Sequence, residues 1–303
     1  MSGREAVYGA PPAILARAAA DAVQVSPLIV GAMPIEDLAD GSLSRMTILA
    51  PPGTFERRYV LAHGLRALVA GGELIALARK DMGGARLTKE LKVFGCETRE
   101  DARRHHRICR CARPHAPVGL EAAIAEGGPR FVPALGLISQ PGVFSWDRLD
   151  PGSALLMAQP WAPAGRGADL GCGVGVLARQ VLASDAVTEL ALIDIDRRAI
   201  EAARRNIADP RARFLQHDLR RPPEGVSGLD FIVMNPPFHD GGIEDRQLGE
   251  AFVAAAREML KDGGILRLVA NVALPYERLL AASFGETRLI AREGGYKVLE
   301  ARA

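Results

Sequence analysis

Short runs rich in apolar residues alternate with longer mixed segments through the second half of the chain. The runs cover residues 190–193, 213–216 and 229–234, and each is followed by polar residues. Runs of this length are typical of buried strands, and the segments between them are long enough for the helices that connect parallel strands. The pattern predicts an open, mostly parallel α/β sheet with polar side chains at its strand ends.

A similar order of elements recurs in the first half. Gly71-Gly72 and Gly263-Gly264 stand 192 positions apart, and Phe94-Gly95 and Phe284-Gly285 stand 190 positions apart. Each Gly-Gly pair separates a helical pattern from an apolar strand, and each Phe-Gly pair precedes two further strands. The same order at a nearly fixed offset indicates two related domains.

The repeat predicts two tandem Rossmann-like domains, at residues 1–135 and 136–303. Their doubly wound, mostly parallel sheets should end in an antiparallel strand pair. The first domain is expected to be degenerate, because residues 21–33 contain no Asp-x-Gly-x-Gly where a glycine-rich strand end is expected, and residues 50–53 read Ala-Pro-Pro-Gly after a strand. Such a domain would dock a substrate or stabilise the second domain.

Composition narrows the class of protein. The 303 residues are 48% hydrophobic and 24% charged, and no apolar run approaches the roughly 18 residues that span a bilayer. Residues 1–5 lack the apolar core of a signal peptide, so a cytoplasmic protein without a membrane partner is expected. There is no Cys-x2-Cys pair among Cys96, Cys109, Cys111 and Cys172, so no metal site is predicted. Because a cytoplasmic location is expected, no disulfide is predicted either.

One segment of the first domain is strongly basic, although the formal net charge of the whole chain is only +2. Residues 99–113 contain six arginines and two histidines, diluted by Glu100 and Asp101. Arginine suits phosphate recognition. Two interpretations stay open, a solvated surface and an RNA-contacting surface. The candidates for RNA contact are Arg103, Arg104, Arg107 and Arg110.

A glycine-rich loop follows the first strand of the second domain. Its notable residues are Asp169, Gly171, Gly173 and Gly175. The dinucleotide fingerprint would need a glycine at position 174 or 176, where valines stand, so a different cofactor is indicated. Asp194, at the end of the second strand, is the expected acceptor for ribose hydroxyls, whereas Asp196 is interpreted as a helix N-cap. Asp218, after the third strand, can reach an adenine amino group.

The fourth strand ends on Asn235-Pro236-Pro237-Phe238. Asn235 offers an amide oxygen as an acceptor, and the consecutive prolines fix carbonyl groups without offering an N–H. Phe238 offers a ring face on which a planar base can stack. This combination is suited to holding a flat amino group.

Several separate motifs together resemble those of the RsmC-type ribosomal RNA guanine-N2 methyltransferases, which are near relatives of the RlmG type. The motifs are PGVFS, LDPGSALL, DLGCGVGVLA, NPPFHDG, VANVALPY and GGYKVLEA. They cover residues 141–303, and the duplicated architecture extends the resemblance loosely over the first half. The resemblance implies S-adenosylmethionine as the cofactor, with a catalytic second domain and a first domain of the same methyltransferase fold. It implies binding of the cofactor by Asp169, Gly171, Gly173, Gly175 and Asp194, with Asp218 at the adenine, Phe144 shielding cofactor or base, and Asn235, Pro236 and Phe238 holding the target guanine.

The expected reaction is methyl transfer to the exocyclic N2 amino group of a guanine in ribosomal RNA, with 16S RNA or the small ribosomal subunit as the partner of a monomeric enzyme. Methylation of an adenine N6 or of a protein glutamine stays open, as does a non-catalytic RNA-binding factor. Also open are the guanine modified, 16S against 23S RNA, naked RNA against an assembled subunit, and a proton-accepting role for His239.

Overall fold

The computed structural model describes residues 3–237, 239–240, 243–244 and 246–303. The chain forms two compact units, Met1–Pro129 and Arg130–Ala303. The boundary predicted from the sequence, at residue 135, lies instead between the two strands of a hairpin. The two strands of that hairpin, Arg130–Val132 and Leu137–Ser139, pair antiparallel and belong to one unit.

The first unit contains a six-stranded mixed sheet. Its strands are β1 (Glu5–Tyr8), β2 (Val23–Val25), β3 (Leu43–Leu49), β4 (Leu68–Arg79), β5 (Arg99–Arg103) and β6 (His106–Ala112). Its helices are α1 (Thr54–Ala67), α2 (Leu87–Val93) and α3 (Leu120–Gly127). The strand order is β2-β1-β3-β4-β6-β5, and only the pairings of β6 are antiparallel.

The connections between the first strands of this unit are reduced. A doubly wound fold has a helix after each strand, but the described residues from β1 to β2 and from β2 to β3 form no α-helix. Leu15 and Ala16 pack instead on Ile75, Leu77 and Ile108 of the sheet. The first unit therefore lacks part of one helical layer, as expected of a degenerate copy.

Within the described residues, the second unit contains a seven-stranded main sheet and two separate two-stranded hairpins. Its strands are β7 (Arg130–Val132), β8 (Leu137–Ser139), β9 (Gly165–Leu170), β10 (Val187–Asp194), β11 (Ala212–Gln216), β12 (Leu229–Met234), β13 (His239–Asp240), β14 (Ile243–Glu244), β15 (Leu260–Asn271), β16 (Glu286–Glu293) and β17 (Tyr296–Arg302). Its helices are α4 (Pro151–Met157), α5 (Val176–Val181), α6 (Arg197–Asn206), α7 (Arg246–Met259) and α8 (Tyr276–Ser283). The order in the main sheet is β11-β10-β9-β12-β15-β17-β16, and only β17 pairs antiparallel with its neighbours.

Apolar side chains cover both faces of this sheet. Leu177 of α5 and Ile200 of α6 belong to one core cluster, and Phe252 of α7 and Leu280 of α8 belong to another. The parallel strands are therefore buried between two helical layers, which explains their nearly continuous apolar sequences. Among the described helices, none combines the length and hydropathy that crossing a bilayer requires.

The two sheets share their strand order, because β2-β1-β3-β4-β6-β5 matches β10-β9-β12-β15-β17-β16. The glycine after the first strand also matches: Gly9 has φ of 73° and Gly171 has φ of 70°. Each donates its N–H to the neighbouring strand, Gly9 to the Val25 carbonyl at 3.1 Å and Gly171 to the Ile193 carbonyl at 2.8 Å. The predicted fold of two tandem Rossmann-like domains is confirmed.

One placement within the first domain is wrong. Residues 21–33, taken as the site of a glycine-rich strand end, contain β2, and the corresponding loop follows β1 at Gly9. β1 is only four residues long. A strand of this length gives too few alternating positions to be recognised from periodicity.

Candidate active site

Parallel pairing brings four strand ends to one edge of the second sheet. Asp194 pairs with Gln216, and Leu170 lies between Ile193 and Met234. The four predicted polar side chains all lie at these strand ends or within two residues of them: Asp169, Asp194, Asp218 and Asn235. In open α/β sheets this carboxyl edge is where ligands bind.

The loop after β9 has the backbone that its glycines allow. Gly171, Gly173 and Gly175 have φ of 70°, 52° and 90°, a region that favours glycine. A Cβ at Gly175 would also stand 2.7 Å from Cδ1 of Ile207. The helix that follows, α5, begins directly after Gly175 and ends at Val181.

Asp194 ties this loop to the next strand. Its Oδ2 accepts from the Gly173 N–H at 2.9 Å and its Oδ1 accepts from the Asp196 N–H at 2.9 Å. Burial raises the pKa of Asp194 to about 6, although these N–H donors act in the opposite direction. Asp196 caps α6 by accepting from the Arg198 N–H and forms a buried ion pair with the Arg198 guanidinium, so its interpretation as an N-cap is confirmed.

Asp169 is fully buried, and neither of its carboxylate oxygens has a partner in good hydrogen-bonding geometry among the described residues. Burial, reinforced by the charge of Asp194, raises the pKa of Asp169 to about 8, and the nearby backbone N–H of Ala178 offsets only part of this rise. Burying a carboxyl group without a hydrogen-bond partner costs about 1–3 kcal/mol of folding free energy or more. Asp169 therefore fits a ligand that brings N–H donors to this edge, as the amino group of S-adenosylmethionine would.

The other two predicted cofactor contacts are more exposed. Asp218 accepts from the Arg220 N–H at 3.0 Å and pairs with its guanidinium at 3.1 Å. Phe144 is 66% exposed, next to Val143, which packs in one cluster with Val174 of the glycine loop. Both side chains are accessible, and their contacts with a cofactor stay predictions.

Asn235 follows β12 directly, and its side chain makes two hydrogen bonds that were not predicted from the sequence. Its Nδ2 donates to Oδ2 of Asp150 at 2.8 Å and to Oγ of Ser153 at 3.0 Å. Asp150 also caps α4, accepting from the Ser153 N–H at 2.7 Å, and Pro151 occupies the first turn. The Asp-Pro pair before a helical run was the available signal for this cap.

The remaining residues of the strand-end motif are only partly described. Pro236 is buried and Pro237 is half-buried. Phe238 lies outside the described residues, as does the side chain of His239. Their roles stay predictions.

The first unit has a comparable pair of prolines after β3. Nη1 of Arg57 donates to the carbonyl oxygens of Pro51 at 3.0 Å and Pro52 at 2.6 Å. The same guanidinium pairs with Glu90 through Nε at 2.6 Å and Nη2 at 2.9 Å, and both side chains are almost fully buried. These proline carbonyls are therefore occupied by the protein itself.

The predicted RNA contacts lie on the β5–β6 hairpin of the first unit. Arg103 pairs with Asp101 at 2.8 Å, and Arg107 pairs with Glu100 at 2.5 Å. The turn residues Arg104 and His105 both have positive φ, 46° and 63°, which costs on the order of 1–3 kcal/mol for residues other than glycine. Arg104 and Arg110 are exposed, and within the described ranges neither forms an ion pair.

The cysteines lie in buried positions as free thiols: Cys96, Cys109, Cys111 and Cys172. Burial raises the pKa of the Cys172 thiol, which lies in the glycine loop beside Asp169 and Asp194. Within the described part of the chain, no group of three or more His, Cys, Asp or Glu residues could hold a metal ion.

Comparison with known proteins identifies relatives over most of the chain. A family profile described as methyltransferase small domain matches residues 134–300. Ribosomal RNA small subunit methyltransferase C of Pseudomonas aeruginosa (strain LESB58) is 35% identical over 270 residues, 86% of this chain and 80% of that protein. The protein of the same name from Pseudomonas entomophila (strain L48) is 33% identical over 267 residues, 84% of this chain and 78% of that protein.

A solved structure shares the fold along nearly the whole chain. It is the T. thermophilus 16S rRNA N2 G1207 methyltransferase (RsmC) in complex with AdoMet and guanosine. The superposition has a TM-score of 0.78 at 24% identity and covers 99% of this chain and 88% of that chain. The likeness therefore extends over both units.

Proposed function

We propose, from the premise that the chain belongs to the ribosomal RNA small subunit methyltransferase C family, that it methylates the exocyclic N2 amino group of a guanine in 16S ribosomal RNA. The methyl donor is S-adenosylmethionine, as in the methyltransferase small domain family as a whole. The observation that carries the proposal is Asn235, whose amide is fixed by two hydrogen bonds at the sheet edge that also carries the glycine loop and the unpartnered Asp169.

The residues at this edge suit the cofactor. Asp169 would accept N–H bonds from its amino group, since no protein donor satisfies this carboxylate in the described chain. The glycine loop allows close backbone approach, and Asp194 would accept from the ribose hydroxyls with the lone pairs left beside its two backbone bonds. The bound cofactor supplies an electrophilic methyl group on a positively charged sulfur.

The chain would then orient the target nitrogen. The lone pair of the guanine N2 is delocalised into the ring, so this nitrogen is a poor nucleophile. Asn235 Oδ1 and the Pro236 carbonyl would each accept one of its N–H bonds, which favours a pyramidal nitrogen with its lone pair directed at the methyl group. Orientation of this kind supplies roughly 7–11 kcal/mol in favourable cases, and fixed dipoles stabilise the developing positive charge. The product ammonium loses its proton to water without a strong base.

The first unit supports this use of proline carbonyls. There, the planar guanidinium of Arg57 donates to two successive proline carbonyls after the equivalent strand. The N1–C2–N2 edge of guanine is itself a guanidine-like group, and it would present similar N–H donors to Pro236. Phe238 would stack on the base and recover part of the few kcal/mol that unstacking costs.

For the first domain, predicted as residues 1–135, the proposed role is RNA docking through the β5–β6 hairpin. Exposed Arg104 and Arg110 would contact phosphates, whereas Arg103 and Arg107 are neutralised by acidic neighbours. The enzyme would act as a monomer in the cytoplasm, with naked 16S RNA or the assembled small subunit as substrate.

The test is methylation by the purified protein with labelled S-adenosylmethionine, offered naked 16S RNA, naked 23S RNA and isolated small subunits. Nucleoside analysis should find N2-methylguanosine in 16S RNA or in small subunits. Asn235→Ala should bind the cofactor as wild type does and lose on the order of 10²-fold in turnover. N6-methyladenosine, or label in protein glutamine, would replace the proposal with one of the alternatives. Turnover of Asn235→Ala within threefold of wild type would exclude the role given to Asn235.

A further inference from the structure

The amide of Asn235 can lie in two orientations that differ by a half-turn, and they have opposite chemistry. In one, Oδ1 faces outward and can accept from a target amino group; in the other, Nδ2 faces outward and would oppose it donor to donor. The strand-end motif contains nothing that selects between them. The selection has to come from whatever contacts the other side of the amide.

The partner on that side is a carboxylate. Oδ2 of Asp150 lies 2.8 Å from Nδ2 of Asn235, and an ionised carboxylate only accepts hydrogen bonds. The Ser153 hydroxyl, 3.0 Å from the same nitrogen, accepts the second N–H. With both N–H bonds directed at Asp150 and Ser153, the Oδ1 atom must face the opposite way.

We propose that Asp150, assisted by Ser153, is the positioning residue that fixes Asn235 with its oxygen toward the substrate nitrogen. This inference rests on the proposed function, because it specifies how the amino-group acceptor is held. Asp150 does not itself touch substrate or cofactor in this scheme. It acts through the orientation of Asn235.

The fold holds Asp150 rigidly. Its Oδ2 also accepts from the Ser153 N–H at 2.7 Å, so the carboxylate is part of the N-terminus of α4. Gly152 is buried against Tyr296 of β17, where a Cβ would stand 2.9 Å from the ring, and α4 packs on β15 and β17. The acceptor is therefore set on a packed helix end, more than eighty residues away in sequence from Asn235.

The alternative is that Asp150 serves α4 alone as its N-cap. Asp150→Ser separates the two roles, because serine is also a good N-cap but is too short to reach Asn235 as the carboxylate does. If Asp150 positions Asn235, Asp150→Ser should lower kcat by about 10- to 100-fold, the scale of a misplacement near 1 Å. KM for S-adenosylmethionine should stay within about threefold.

Substitutions that nearly keep the side-chain shapes give the sharper test. Asn235→Asp sets two carboxylates against each other and should lower kcat by on the order of 10²-fold or more. Asp150→Asn keeps the contact, because the oxygen that accepts from Asn235 is the same oxygen that accepts from the Ser153 N–H, and an amide oxygen held by that N–H can accept from both donors. The kcat of Asp150→Asn should therefore stay within about threefold of wild type.

Asp209→Ser serves as the matched control. Asp209 also accepts from a backbone N–H, that of Arg211 at 2.9 Å, but it lies before β11 at the opposite edge of the sheet. Its replacement should lower the unfolding temperature without lowering kcat, which separates lost stability from lost positioning. All variants are assayed as full-length protein on the substrate that wild type methylates best.

The outcomes are distinct. An Asp150→Ser enzyme within threefold of wild-type kcat, or an Asp150→Asn enzyme as impaired as Asp150→Ser, overturns the positioning role. A wild-type protein that methylates adenine or glutamine refutes the guanine assignment, yet a loss in Asp150→Ser that is absent in Asp150→Asn in that assay would still support Asp150. A wild-type protein that transfers no methyl group to any substrate, while binding the cofactor, refutes both.

Discussion

At the scale of single residues, two acids at the carboxyl edge of the second sheet differ in burial and in hydrogen bonding, because Asp169 is fully buried and Asp194 is half-buried. Asp194 has backbone donors on both oxygens, whereas Asp169 has no partner in the described chain. The difference appears in their pKa values, about 6 for Asp194 and about 8 for Asp169. The unsatisfied acid is the one that a bound ligand would relieve.

Asp169 should make the stability of the ligand-free protein pH-dependent. The pKa of Asp169 in the folded state, about 8, lies far above the ordinary value of an aspartate side chain, so the folded state binds this proton more tightly than the unfolded state does. The contribution of this proton to the free energy of unfolding is fully present below about pH 4 and is lost as the pH rises toward 8. Asp169→Asn removes the titration and should be more stable than wild type at pH 8 by at least about 1 kcal/mol, with a smaller difference at pH 5. Urea unfolding at both pH values measures this, and an equal difference at the two values would contradict it.

Asp194 should matter for affinity more than Asp196 does. Asp194→Ala is expected to weaken S-adenosylmethionine binding by about 1.5–3 kcal/mol, the scale of hydrogen bonds to a charged group. Asp196→Ala removes a helix cap and the partner of Arg198, so it should lower stability and leave affinity nearly unchanged. Titration calorimetry distinguishes them, and the reverse order would show that Asp196 is the ribose acceptor.

At the scale of elements, the arginines of the basic segment, residues 99–113, differ in whether they form ion pairs, which the composition alone does not indicate. β5 is exposed along its whole length, but of the four candidate arginines Arg103 and Arg107 pair with acids, whereas Arg104 and Arg110 form no ion pair within the described residues. Of these four, Arg104 and Arg110 are the two available for phosphates. A count of arginines overstates the charge that RNA would meet.

Neutralising those two arginines should therefore weaken RNA binding. Arg104→Ala/Arg110→Ala is expected to make the slope of log affinity against log salt shallower, by up to about 0.7 for each lost phosphate contact on single strands. The matched variant Arg103→Ala/Arg107→Ala should change the slope less, since its arginines are already paired. Methyl transfer at saturating RNA should barely change in either. Equal slopes for wild type and both variants would leave the hairpin as a solvated surface.

At the scale of the whole molecule, one architecture occurs twice with different contents. The six strands of the first sheet have the same order as six of the seven strands of the second, and β4 and β15 have the same sequence of buried and exposed positions. The first unit retains one loop glycine, Gly9, and its proline carbonyls accept from Arg57, whose guanidinium also pairs with Glu90. The second unit has three loop glycines and the buried Asp169, whose carboxylate has no partner in good hydrogen-bonding geometry within the described residues.

The chain should therefore bind one S-adenosylmethionine, not two. The first unit has no acid equivalent to Asp169, because Val7 stands two residues before Gly9 where Asp169 stands two residues before Gly171. Calorimetry on the full-length protein should give one site per chain, and Asp194→Ala should weaken that site without uncovering another. A second site that persists in Asp194→Ala would show that the first unit also binds cofactor.

The sequence by itself determined the parallel α/β class, the duplication, and the strand ends that carry Asp169, Asp194, Asp218 and Asn235. It also determined the family, since these features depend on local periodicity and on glycine and proline positions that carry their own backbone requirements. Asp196 as an N-cap belongs with them, because a cap is a local interaction.

Other features depend on contacts between residues that are far apart in the sequence, and these were established only by the folded structure. It placed β1 at residues 5–8, a strand recognised only through its pairing with β2 and β3. It left Asp169 without a donor, filled the first unit's proline carbonyls with Arg57, and neutralised two of the hairpin arginines. It also joined Asp150 to Asn235. No local pattern encodes these contacts, because each forms only when packed elements bring the two side chains within hydrogen-bonding distance.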